Sequence, residues 1–145
     1  MTTTPDFAAE MAGHPATRAM EELRGTIEEI EAQTRVMNGA EAARLELIEK
    51  ARRQMRAMQS VPDEELRRTG GVKFQSDELA DRSLAQEIGH ALGVHERTGG
   101  NRIFCAEVVT TEFTKTLETL REGRIAVGHA QIGRASCRER VCDSV

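Results

Sequence analysis

Apolar residues recur at intervals of three and four along most of this chain. Met20, Leu23, Ile27, Ile30 and Met37 open the series, with Thr34 in its one gap, which is the spacing of a helix with a narrow apolar seam close to heptad register. Asn38-Gly39 follows. Both residue types accept positive φ readily, so the pair predicts a helix end and a reversal of the chain. A second helix then places Ala40, Ala43, Leu47, Ala51, Met55 and Met58 on one face, widened by Leu45 and Ile48, with Glu46, Lys50, Arg52, Arg53 and Arg56 around the rest. The two are expected to form a long αα-hairpin that buries the 20–37 seam as intramolecular core.

Shorter elements follow. Ser60-Val-Pro-Asp-Glu-Glu has Pro62 early and acids in the first turn, a helix start, and Thr69-Gly70-Gly71 ends it. After an extended connector over 72–75, Ser76-Asp77 caps a helix whose buried face uses Ala80, Leu84, Ile88 and Leu92, and Gly93 closes it. His95-Glu-Arg-Thr-Gly-Gly-Asn reads as turn-like. Ile103, Ala106 and Val109 then begin a stripe that runs through Phe113, Leu117 and Leu120 to Gly123, with a bend expected near the weak helix formers Thr110, Thr111 and Thr114.

Composition agrees with this pattern. Trp and Tyr are absent, only four Phe occur, and Ala, Glu, Arg, Leu and Met dominate, so the fold class is all-α. A hydrophobic content of 39% against 30% charged residues supports one solvated domain with a single core. No apolar run reaches the ~20 residues of a membrane span, and no basic-then-apolar leader opens the chain; the expectation is a cytoplasmic protein with no membrane partner. The formal charge is −4 overall and −5 without residues 133–145, which weighs against a generic nucleic-acid binder.

Candidate chemistry is sparse. Glu87 and His90 have the spacing of a bundle metal site, but no second Glu-x-x-His exists, so both are expected on the surface and no metal or other cofactor is assigned. Cys137 and Cys142 lack the further pair that a tetrahedral zinc site needs, and Cys105 is expected in the core. The run Lys50-Ala-Arg-Arg-Gln-Met-Arg, with Arg67 and Arg68 beyond, reads as a solvated face with partners such as Glu46 for Lys50. Residues 85–102 have a helix-turn-helix flavour, with Arg97 and Arg102 as nucleic-acid contacts; ordinary helix packing is the favoured alternative.

Two stretches resemble a known family. Ala85-Gln-Glu-Ile-Gly-His-Ala-Leu-Gly-Val with Arg102-Ile-Phe-Cys-Ala-Glu-Val-Val, and Leu117-Glu-Thr-Leu-Arg-Glu-Gly-Arg-Ile-Ala-Val-Gly-His-Ala, look like the family called domain of unknown function 222. Its closing phrase corresponds to Leu120, Gly123, Arg124, Ile125, His129 and Ala130 here. The resemblance spans residues 16–132 and is most specific over 86–130. Thr114 departs from the family's usual Pro, and Gly99-Gly100 from a helix start usually held by Ala and Arg.

Members commonly continue into an HNH nuclease domain that holds a divalent metal, and this chain has no His-Asn-His arrangement. The resemblance therefore implies the non-catalytic N-terminal helical module of an HNH-endonuclease-type protein. Its expected partners are DNA, contacted by Arg97, Arg102 and Arg124, and a nuclease domain in cis. A structural role, capping or packing the last helix, is expected for His129. The alternative is a helical interaction module that forms a homodimer through the N-terminal hairpin. Residues 1–15 are expected to be a flexible terminus. Gly133-Arg-Ala-Ser-Cys-Arg-Glu-Arg-Val is similar to a translated cloning or adapter sequence, so 133–145 is expected to be a foreign, disordered tail marking a truncation near Ile132.

Overall fold

A computed structural model describes residues 15–129; the expectations for 1–14 and 133–145, Cys137 and Cys142 included, lie outside the described residues. The described residues are all-α. In chain order the helices are α1 (Pro15–Gln59), α2 (Asp63–Thr69), α3 (Asp77–Leu92), α4 (Glu96–Thr111) and α5 (Thr114–Arg121). Helices α3 and α4 pack on each other, and both pack with α5 on the C-terminal half of α1. The core takes Ala42, Leu45 and Ile48 from α1, Cys105, Ala106 and Val109 from α4, and Leu117 and Leu120 from α5, with Ile88, Leu92, Ile103, Ile125 and Val127 at its margin.

The expected hairpin is replaced by one continuous helix of 45 residues, about 68 Å long at 1.5 Å per residue. Asn38 and Gly39 do not turn the chain; they make a notch on α1. The Asn38 side-chain amide donates to the Gly123 carbonyl at 3.3 Å. A Cβ on Gly39 would lie 3.2 Å from the Arg121 carbonyl oxygen, so the missing side chain lets the end of α5 settle on the helix. Gly123 completes the joint with φ +76°, and its hydrogen-only Cα faces the Arg35 backbone where a Cβ would stand 2.7 Å away.

The inner face of α1 is also rotated from the expected one. Ala42, Leu45, Ile48 and Glu49 are buried, whereas Leu47, Ala40 and Ala43 are exposed. Glu49 stands inside this stripe at 3% exposure, a charged residue among apolar neighbours.

The segment 95–101 is a second correction, since α4 starts at Glu96 and runs through Gly99 and Gly100. His95 caps it, its Nδ1 accepting from the Arg97 backbone N–H at 3.1 Å. Gly99 is where α3 comes closest: a Cβ there would lie 2.2 Å from the Ala85 carbonyl oxygen and 2.8 Å from the Gly89 nitrogen, whereas one on Gly100 would meet only the Ala85 Cβ at 3.7 Å. Other expected boundaries hold. Gly70 and Gly93 end their helices at φ +68° and +66°, Ser76 accepts from the Leu79 N–H at 3.2 Å, and the bend falls between α4 and α5.

Candidate functional site

The arginines singled out from sequence occupy three different settings. Arg97 is exposed in the first turn of α4, next to Glu96, which lies 3.4 Å from Arg82. Arg102 is half-buried and faces Glu41 of α1 at 4.0 Å, with its Nη1 enclosed and without a hydrogen-bond partner. Arg124 is exposed, and its Nε donates to Glu122 at 2.6 Å. Two of the three therefore lie against acids of the same chain, which lowers the local positive potential available to a phosphate.

In the closing phrase, Gly123 forms the joint with α1 and Ile125 packs at the core margin. His129 is exposed, its backbone N–H donating to the Ala126 carbonyl at 3.0 Å. Cys105 is fully buried. Glu87 and His90 are both exposed on α3, and among the described residues no three His, Cys, Asp or Glu side chains are grouped to hold a metal.

The basic run on α1 is largely committed to internal pairs. Glu49 accepts from Arg52 Nε at 2.7 Å and Nη2 at 3.1 Å, and from Arg53 Nε at 2.7 Å. Arg52 reaches Glu107 of α4 at 3.2 Å, and Arg56 reaches Asp81 of α3 at 2.8 Å. Glu46 pairs with Arg121 of α5 rather than with Lys50. The Arg52 hydrogen bonds hold the Glu49 carboxyl below the usual glutamate range against the opposing effect of its burial, with Arg53 adding to the lowering. The Arg52 guanidinium is raised in turn, chiefly by Glu49. This network fastens α1 to α3 and α4. The spacing of Glu49 three and four residues before Arg52 and Arg53 was legible in the sequence; its burial and the links to Glu107 and Asp81 were not.

With no hairpin to cover it, the 20–37 seam stands on the outside of α1: its large side chains range from 46% exposed at Ile27 to 67% at Met37. The body of the domain first meets α1 near Arg35, Asn38 and Gly39, so residues 15–34 project from it as an arm of about 30 Å. Met20, Leu23, Arg24, Ile27, Glu28 and Glu31 line a shallow groove along the arm. The expected intramolecular burial of this seam is thus corrected among the described residues.

No protein-family model matches the chain, and no curated protein or solved structure is significantly similar to it. Among the described residues, no helix is long and apolar enough to cross a membrane.

Proposed function

We propose that the chain is a helical association module that engages a protein partner through the arm of α1. One observation carries this reading: a heptad-spaced apolar seam over 20–37 is exposed on a helix that leaves the folded body. Helices without tertiary contacts are marginal in water. This one also contains Gly25 and the β-branched Ile27 and Ile30, and a glycine alone weakens a helix by about 1 kcal/mol. Covering the seam stabilises it by roughly 1 kcal/mol for each half-exposed large side chain buried. The arm therefore gains most of its order from whatever covers it.

The test is oxidative footprinting in the source cells. Met20 and Met37 should be oxidised less in cells than in the dilute purified chain, while exposed Met58 changes little. Equal reactivity of Met20 and Met37 in both settings would refute the reading.

The motif Leu120, Gly123, Arg124, Ile125, His129 supports a second reading, a non-catalytic N-terminal module of an HNH-endonuclease-type protein that assists DNA binding. In that class the divalent metal belongs to the nuclease domain. Affinity for duplex DNA that falls steeply with salt, and that drops on Arg97→Ala, supports this reading; weak binding indifferent to Arg97 removes it. The net charge of −5 outside residues 133–145 and the acid-facing Arg102 and Arg124 favour association through the arm.

A further inference from the structure

We infer that the occupant of the arm is a second copy of this chain, laid antiparallel, with Ile27 of each copy against Ile30 of the other. The inference rests on the reading of the arm as an association surface and names its partner. A two-fold interface requires a surface complementary to itself, and the seam meets that requirement in both spacing and charge.

The seam positions 20, 23, 27, 30, 34 and 37 are separated by 3, 4, 3, 4 and 3 residues, a series that reads the same in both directions. Turned end for end about its centre, the seam pairs Met20 with Met37, Leu23 with Thr34 and Ile27 with Ile30. Every seam position then faces another, and the body of each copy meets its own α1 only at the end of the paired stretch, at Arg35, Asn38 and Gly39.

Charge selects the orientation and the register. With Met20, Ile27 and Thr34 at a and Leu23, Ile30 and Met37 at d, the e positions hold Arg24, Glu31 and Asn38, and the g positions hold Ala19, Thr26 and Gln33. A parallel pair sets g against e, which brings no two charges together here. An antiparallel pair sets e against e. In the register given, Arg24 of each copy lies beside Glu31 of the other, twice by symmetry. Sliding by one heptad, so that Leu23 faces Ile27, would bring the two Arg24 side chains together instead. Arg24 and Glu31 both line the groove beside Met20 and Ile27 and both are exposed. Glu31 lies 3.4 Å from Arg35, a solvent-screened contact of little strength that leaves it available to the second copy.

Sedimentation equilibrium of the full chain under reducing conditions tests this. The wild type should dimerise in the micromolar range. Arg24→Glu and Glu31→Arg should each raise the dimer Kd roughly tenfold, since each replaces two attractions by two repulsions. An equimolar mixture of the two variants should recover wild-type affinity, because in the mixed pair both cross-copy contacts between positions 24 and 31 again join an acid to a base. Unchanged helicity by circular dichroism at high dilution would show that the variants fold. A wild type monomeric up to millimolar concentration, or a mixture no tighter than the single variants, overturns the inference. If the chain is monomeric but Met20 and Met37 remain protected in cells, the association reading stands and the second copy is excluded as its occupant.

Discussion

Replacing Gly99 by alanine tests how closely α3 and α4 approach. The new Cβ would stand 2.2 Å from the Ala85 carbonyl oxygen, 2.8 Å from the Gly89 nitrogen and 3.1 Å from the Gly89 Cα. All three are backbone atoms, so no rotamer change relieves the contact. Restoring an ordinary separation of about 3.3 Å moves the helices apart by about 1 Å, enough to forfeit a quarter to a half of the dispersion energy across the loosened contacts. Overpacking of this kind costs about 1–3 kcal/mol, occasionally more, against a gain of about 1 kcal/mol from replacing a helical glycine. The clash is severe enough to place the cost at or above the top of that range, leaving a net loss of about 2 kcal/mol.

Gly100 is the internal control. A Cβ there would meet only the Ala85 Cβ, at 3.7 Å, which is normal contact, so Gly100→Ala should stabilise the protein by about 0.5–1 kcal/mol. Urea denaturation followed by circular dichroism should move the midpoint in opposite directions for two neighbouring glycines, by about 1 M downward for Gly99→Ala and by a few tenths upward for Gly100→Ala. Shifts of the same sign would refute the assignment of Gly99 to a backbone-on-backbone crossing.

Gly123→Ala should destabilise the seating of α5 on α1 by about 2 kcal/mol or more, because it combines a positive φ with a Cβ 2.7 Å from Arg35; hydrogen exchange should accelerate in α5, and unchanged protection there would contradict the joint. Glu49 has a folded pKa below its unfolded value, so its contribution is complete above the ordinary glutamate value of about 4.3 and is lost as pH falls through the lower folded value. Glu49→Gln should accordingly be less stable than wild type at pH 7 and show a flatter loss of stability below about pH 4; parallel acid-unfolding curves would show that the Arg52 bonds contribute nothing.

The elements whose causes are local were legible in the sequence. Ser76 and the glycines at 70, 93 and 123 end or begin helices through the conformations of one or two residues, and the structure shows each acting there. Asn38-Gly39 and Gly99-Gly100 misled for one shared reason. A glycine can be present because the backbone must turn or because another backbone must come close, and only the second needs a partner elsewhere. Here the partners are Arg121 and Gly123 for the first pair, and Ala85 and Gly89 of the preceding helix for Gly99 in the second. A periodicity read along one segment contains no trace of them.

The site was half legible for a related reason. The spacing of Met20, Leu23, Ile27 and Ile30 marks an apolar seam whether it is core or interface; what decides between the two is whether the chain doubles back to cover it. Once Gly39 serves contact with Arg121 instead of a turn, α1 continues through 38–39, and its own second half does not fold back over the seam. The same residue thus determines both the misread fold and the exposed surface. The hidden charge cluster contributes the rest. Glu49, drawn inward by Arg52 and Arg53, and Arg52 with Glu107 fix the C-terminal half of α1 to the body through interactions that a hydrophobic stripe cannot report. With that half anchored, α1 runs on past the body at Arg35 and carries the seam of residues 20–37 exposed along it.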